Sequence, residues 1–330
     1  MIAFSEIEKI DAHTHYNSSG LALLEQAEAD NFSFISINTE APGLPSISEQ
    51  AKTILDHASP RLSSIATFEI ANWQSPEWVD VAIAQIKKGV ENGAIAIKIW
   101  KSVGMELKDK NGQFVMLDHP RFQPLLDYLV AHNIPLLAHL GEPKNCWLPL
   151  DQMTVDTDRA YFEAHPEYHM FLHPACPSYS KQMEARDHVL MKNPALIFIG
   201  AHLASLEWST DQLAQWLDSF PNAAVDLAER ICHLQLQAKD NWQKVRDFVI
   251  KYQDRILYGT DIIYDESSEP AEITERIHRI WTEDWRFFTS SDLMLAPQFA
   301  GQFRGLELPD QVVRKIYREN ALRWYTRLGA

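Results

Sequence analysis

Eight short runs rich in Val, Ile, Leu and Ala recur along the chain, near Ile7 to Ala12, Phe32 to Ile37, Leu62 to Phe68, Ala94 to Ile99, Ile134 to Ala138, Leu196 to Ala201, Ala223 to Leu227 and Ile256 to Gly259. A strand with no polar side has to be buried on both faces, the condition met by a parallel sheet under crossover helices. The intervals leave room for such helices, and several are legible. Ser75 and Pro76 open one in which Val79, Ile83, Ile86 and Val90 fall at three-to-four spacing, with Gly89 near its end. Ser209-Thr210-Asp211 opens another that places Leu213, Trp216, Leu217 and Phe220 on one face and stops at Pro221. A last one follows Pro309 with Val312, Val313, Ile316 and Tyr317. Strand and helix alternating eight times predict an α/β fold, a closed (β/α)8 TIM barrel in preference to an open sheet.

A chain of 330 residues suffices for one such domain spanning 1–330. Two connections exceed ordinary loops, about 140–194 after the fifth run and about 262–308 after the eighth. Both leave strand C-termini and are expected to roof the pocket there. Their aromatics (Trp147, Tyr161, Phe162, Tyr168, Phe171, Trp281, Trp285, Phe287 and Phe288) suit that roof or equally a subunit interface, which leaves a homo-oligomer open.

A formal net charge of −15 with no cluster of Lys and Arg excludes a nucleic-acid partner. Cys146, Cys176 and Cys232 are odd in number and widely spaced, so they define neither a disulfide framework nor a thiolate zinc site; reduced thiols in a cytoplasmic protein are expected. The N-terminal residues show neither a signal peptide nor a membrane span, and no membrane partner is expected.

The first run ends in Asp11-Ala12-His13-Thr14-His15. In an extended segment His13 and His15 project to one side and can offer two imidazoles to one ion. Single histidines, His139 and His202, close the fifth and sixth runs, and Asp261 closes the eighth. Strand C-termini converge on the active site of a barrel, so these five groups are expected to meet. Neutral imidazoles and one carboxylate leave a divalent ion with net positive charge and an open position for water, whose pKa falls toward neutrality.

In this order the motifs resemble the amidohydrolase superfamily, and within it the amidohydrolase-2 branch of aminocarboxymuconate-semialdehyde decarboxylase, resorcylate decarboxylases and dicarboxylate lactonases. The resemblance runs from Ile10-Asp11-Ala12-His13-Thr14-His15 to the closing pattern Tyr317-Arg318-Glu319-Asn320-Ala321. It implies His13, His15 and His139 as metal ligands, His202 as a ligand or catalytic group, and Asp261 as ligand and proton shuttle. The expected ion is zinc, with manganese, iron or nickel as alternatives, and one ion is expected over two. Lys98, at the end of the fourth run, matches the position of a lysine that some superfamily members carboxylate to bridge two metals; unmodified, it can hold a substrate carboxylate.

Trp100, Glu142 and Arg230 are further candidates for substrate contact, with surface salt bridges as the plain reading of Glu142 and Arg230. Lys101 reads as a solvated charge. His165, His169 and His173 recur every fourth residue, but Pro166 stands where a zincin needs its glutamate, so they read as lid residues. The expected activity is metal-dependent hydrolysis of a small polar lactone, amide or ester that carries a carboxylate. A metal-dependent decarboxylase or hydratase is the alternative, and a catalytically silent binding protein is the third reading.

Overall fold

The computed structural model describes residues 2–41 and 43–328. Each apolar run contains a strand: β1 (Lys9–Asn17), β2 (Phe32–Ile37), β3 (Leu62–Ile65), β4 (Ile97–Ile99), β5 (Leu136–Ala138), β6 (Phe198–Gly200), β7 (Ala223–Asp226) and β8 (Ile256–Leu257). A further strand, β9 (Ile262–Asp265), resumes the line of β8 beyond Gly259-Thr260-Asp261. Parallel pairing gives the orders β3-β2-β1-β9 and β4-β5-β6-β7-β8. Two seams join these sheets. Ala66 bridges Ile97 in parallel on one side. On the other, the Ala12 N–H donates to the Tyr258 carbonyl at 2.9 Å and the Asp261 N–H to the His13 carbonyl at 2.8 Å. The ring of eight strands closes as a TIM barrel.

Inside it, Ile10, Ala12, Ile35, Ile37, Leu137, Ile199, Ala224 and Leu257 form one buried layer, sealed at the bottom by Trp324 and Tyr325. Burying each such Ile or Leu contributes roughly 1.5–3 kcal/mol. Strict alternation from Ile10 and Ala12 would turn His13 and His15 away from this interior. The chain avoids that with a bulge: Asp11 pairs with Phe34 but Thr14 with Ser36, so three steps on β1 match two on β2. The extra residue reverses the parity of the strand and re-aims its end. Asp11 thus faces outward, where Trp281 Nε1 donates to its carboxylate at 3.1 Å, while the two histidines face inward.

The Ser209 hydroxyl caps the helix Thr210–Ser219 by accepting the Gln212 N–H. The helix expected from Ser75 begins later, at Trp78, because Ser75 is engaged in a turn in which its carbonyl takes the Trp78 N–H at 3.1 Å.

The connection after β8 is not a roof. It holds the helix Pro270–Thr289 and a hairpin of β10 (Leu293–Leu295) and β11 (Gln302–Arg304). Trp281 stacks on Phe32 with ring centroids 3.8 Å apart, and Trp281, Trp285, Phe287 and Phe288 are buried in the layer between barrel and helices. That burial also removes them from any subunit interface. The connection after β5 does cover strand C-termini. Its helices Asp156–Ala164 and Tyr179–Lys192 and several short turns enclose a small core of Cys146, Met153, Phe162 and Met170 with Met105. Among the described residues no helix is long and apolar enough to cross a membrane.

Candidate metal centre

Three histidines from β1 and the end of β6 have the same tautomer imposed on them by acceptors. His13 Nδ1 lies 2.7 Å from Asp226 Oδ2, His15 Nδ1 lies 3.0 Å from the Ile37 carbonyl, and His202 Nδ1 lies 3.0 Å from the Ala228 carbonyl. A carbonyl or an ionised carboxylate can only accept, so each Nδ1 carries a hydrogen and Nε2 is the nitrogen that offers a lone pair when the ring is neutral. Asp261 Oδ1 sits 3.2 Å from His13 Nε2 and 3.2 Å from His15 Nε2. His13 Nε2 and Asp261 Oδ1 are both buried without a hydrogen-bond partner. Two such acceptors can face each other only across a proton or a cation.

His13, His202 and Asp261 each offer an atom within 4.8 Å of the others. His15 joins this triad through Asp261, and His139 through His202, whose ring centroid is 4.3 Å away. The donor set, imidazole nitrogens with one carboxylate, suits zinc or a neighbouring divalent transition ion.

The backbone is strained where the site is built. His202, Glu229 and Asp261 follow β6, β7 and β8, and all three are non-glycine residues in the left-handed region, at φ of 57°, 58° and 64°. His202 opens a run of four, through Ser205. Such residues cost of order 1 kcal/mol each and persist only where the surroundings hold them. Asp226 Oδ1 accepts the His202 N–H at 2.7 Å, Arg186 donates to the Ala204 carbonyl, and the Ser205 hydroxyl donates to the Leu140 carbonyl at 2.9 Å.

Burial, with added repulsion from Lys98 and Lys101, holds His139 well below the usual histidine range. Burial and the neighbouring His139 do the same to His202, so both are neutral. Burial alone would raise the Asp261 carboxyl, but His13 and His15 hold it well below its ordinary value. Burial opposes charge on His13 too, yet Asp226 raises it overall. A metal binding there displaces a proton, as ligand imidazoles generally require.

Comparison with known proteins bears on this geometry. A family model described as Amidohydrolase matches residues 68–327. The chain belongs to this amidohydrolase family. Comparison with curated proteins gives no match. Among solved structures it resembles an uncharacterised TIM-barrel protein from Bordetella bronchiseptica at 14% identity, with 98% of this chain and 100% of that chain covered and a TM-score of 0.56. It also resembles 2,6-dihydroxybenzoate decarboxylase from Rhizobium at 14% identity, with 97% and 98% covered and a TM-score of 0.55. A third is the manganese complex of 5-carboxyvanillate decarboxylase from Novosphingobium aromaticivorans, at 13% identity with 98% and 97% covered and a TM-score of 0.52. At such identities the likeness shows the fold.

Of the remaining candidates of this amidohydrolase, Lys98, Glu142 and Arg230 act on or touch His139. Lys98 is buried at the end of β4, its ammonium lowered to about 8 by burial against the pull of Asp226 and Asp261. Trp100 is half-buried beside a small cleft shared with Lys98, Thr67 and Glu40. Glu142 and Arg230 are buried, and Arg230 also pairs at 3.9 Å with Glu229, whose side chain is exposed. Glu142 Oε2 lies 3.6 Å from His139 Nε2 while Oε1 pairs with Lys101. Arg230 is held charged, against burial, by Asp158, Glu229, Glu207 and Glu142.

Lys101 is not a solvated charge: it is buried, paired with Glu142 and ringed by aromatics. His169 and His173 bond to the carbonyls of Leu148 and Pro166 within the lid and His165 sits beside Glu167, so the three do not stack on a helix. Asp226 is the functional residue that sequence reading passes over. It ends β7 as Asp261 follows β8, an acid closing an apolar run.

Proposed function

We propose that this amidohydrolase acts as one domain that holds a single divalent ion, zinc in preference to manganese, iron or nickel, on His13, His15, His139 and Asp261 with His202 beside them. Its reaction is hydrolysis of a small lactone, amide or ester that carries a carboxylate. The observation that carries this reading is the set of Nε2 lone pairs of His13, His15 and His202 turned toward one carboxylate by acceptors behind each ring. A bound ion supplies positive charge that makes a water acidic and polarises a carbonyl.

Asp261 is ionised and its side chain keeps 24% of its exposure, so it can take a proton from an attacking water and return it to the leaving group. Neutral His202, whose Nδ1–H is committed to the Ala228 carbonyl, turns an Nε2 lone pair into the site and can take a proton from the water or serve as a further ligand. Lys98 faces the site from β4 as the counter-charge for the substrate carboxylate; carboxylation of its amine is the alternative and would call for a second ion. The buried free thiols Cys146 and Cys232 support a cytoplasmic location.

Decarboxylation is the second reading, supported by the cations Lys98, Lys101 and Arg230 that act on His139 and would hold a carboxylate near it. Turnover in water enriched in heavy oxygen separates the two. Hydrolysis places one labelled oxygen in the product acid. Carbon dioxide release with no label in the organic product, once carbonyl exchange is controlled for, would replace the first reading by the second.

A further inference from the structure

Lys101 has no part in the proposed hydrolysis, yet it is a buried cation held in place by an acid and three rings. It follows β4, is buried, and gives a single hydrogen bond, to Glu142. An ammonium has three N–H donors. Around it stand the rings of Tyr168, Trp100 and Tyr161, with centroids 4.8, 5.4 and 5.9 Å from Nζ.

Lys101 also lines a cavity of about 180 Å³ that neither Glu142 nor His139 lines. Met105, Phe114, Tyr168 and Met170 give this cavity apolar walls, and Cys176 lies on its lid side. Exposed Glu106, Lys108 and Glu167 and half-buried His173 line its outer part, and the Glu106 carboxyl is raised by burial and lowered in part by Lys101. Lys101 thus links the cavity it lines to Glu142, whose Oε2 lies 3.6 Å from His139 Nε2.

We propose that this cavity binds a small carboxylic acid with an aromatic or branched apolar body, its carboxylate accepting hydrogen bonds from Lys101 and its body lying against Met105, Phe114 and Met170. Apolar walls with a few placed charged groups are the usual form of a small-molecule site, and of the charged groups lining this one Lys101 is the buried one. A buried ammonium with N–H groups left over favours an anion over a neutral guest, because charge-assisted bonds are about twice as strong as neutral ones. The guest shares Lys101 with Glu142 and so loosens the carboxylate beside His139, which couples the cavity to the metal centre. The inference does not depend on which reaction occurs at the metal.

The test uses 4-fluorobenzoate, observed by fluorine NMR and by calorimetry, with the protein as purified and again after a chelator has removed its metal. Saturable binding in both forms is expected. Lys101→Met and the double variant Lys101→Met, Glu142→Gln should each weaken it by about tenfold or more, which corresponds to ~1.4 kcal/mol. Cys176→Phe, which fills the cavity from the lid, should do likewise. Neutral 4-fluorobenzamide should bind the unaltered protein about tenfold more weakly, a comparison that needs no variant. Binding that disappears with the metal but survives Lys101→Met and Cys176→Phe would place the acid at the metal and overturn the proposal, as would absence of binding at millimolar concentration. Metal content and hydrolysis, measured separately, stay informative about the proposed function in either case.

Discussion

Asp226 Oδ2 and His13 Nδ1 lie 2.7 Å apart, both fully buried, and the other oxygen of Asp226 accepts the backbone N–H of His202. One carboxylate thus sets the tautomer of the first-strand ligand and holds the strained turn that presents the sixth-strand histidine. Asp226→Asn keeps the size but offers an amide, which leaves the His13 hydrogen free to move to Nε2. Loss of such a supporting carboxylate generally costs 10–100-fold in metal affinity. Competition with a calibrated chelator should show a fall of about that size at unchanged circular dichroism. Wild-type affinity would remove Asp226 from the metal centre.

Asp261 differs from Asp226 in that its side chain keeps 24% exposure. Asp261→Asn with metal restored should lower kcat by roughly 100-fold or more, and KM by comparison little, because the lost step is proton transfer. Undiminished turnover at full metal loading would take Asp261 out of the mechanism.

Lys98 has two possible functions that metal analysis separates. If it contacts the substrate carboxylate, Lys98→Ala raises KM for anionic substrates and leaves metal content alone. If it is carboxylated, the variant loses metal and short-chain carboxylic acids restore part of the activity. Wild-type kinetics and metal content together would exclude both.

Gly259 is where the eighth strand passes the first. A Cβ placed there would meet the His13 Cβ at 2.9 Å and its backbone nitrogen at 3.3 Å. Gly259→Ala should therefore displace His13 without touching a ligand, weakening metal binding while the thermal midpoint falls by only a few degrees. Unchanged metal affinity would show that the first strand yields freely.

The eight strands were legible because burial on both faces forces continuous apolar sequence, and the ligand positions because they interrupt that pattern at one end. The bulge between Asp11 and Thr14 was not legible. It depends on pairing with β2, and alternation alone places His13 and His15 on one side of the strand without saying which side is the interior. Lys101 looked like an ordinary loop charge, and Glu142 like either a pocket residue or a surface ion-pair partner, since their burial comes from residues distant in sequence. Trp281 and its neighbours looked like roof or interface residues because a 20-residue helix within the last connection was read as loop.

Asp284 provides a pH test away from the ligands. It sits on the helix Pro270–Thr289 behind β8, accepting a hydrogen bond from the Tyr258 hydroxyl at 2.8 Å. Burial, with repulsion from Asp11, raises its carboxyl from 3.8 to about 7 despite that bond. Between these values the folded chain holds a proton that the unfolded chain has released. Protonation therefore favours folding; the contribution is complete below roughly pH 4 and disappears as pH rises through about 7. Asp284→Asn removes the titration and keeps an acceptor for Tyr258. Urea unfolding of the metal-free protein across this range should show stability declining with pH more steeply in the wild type than in Asp284→Asn, with the variant the more stable of the two above pH ~7. Parallel profiles for the two proteins would mean that Asp284 is already ionised in the native wall.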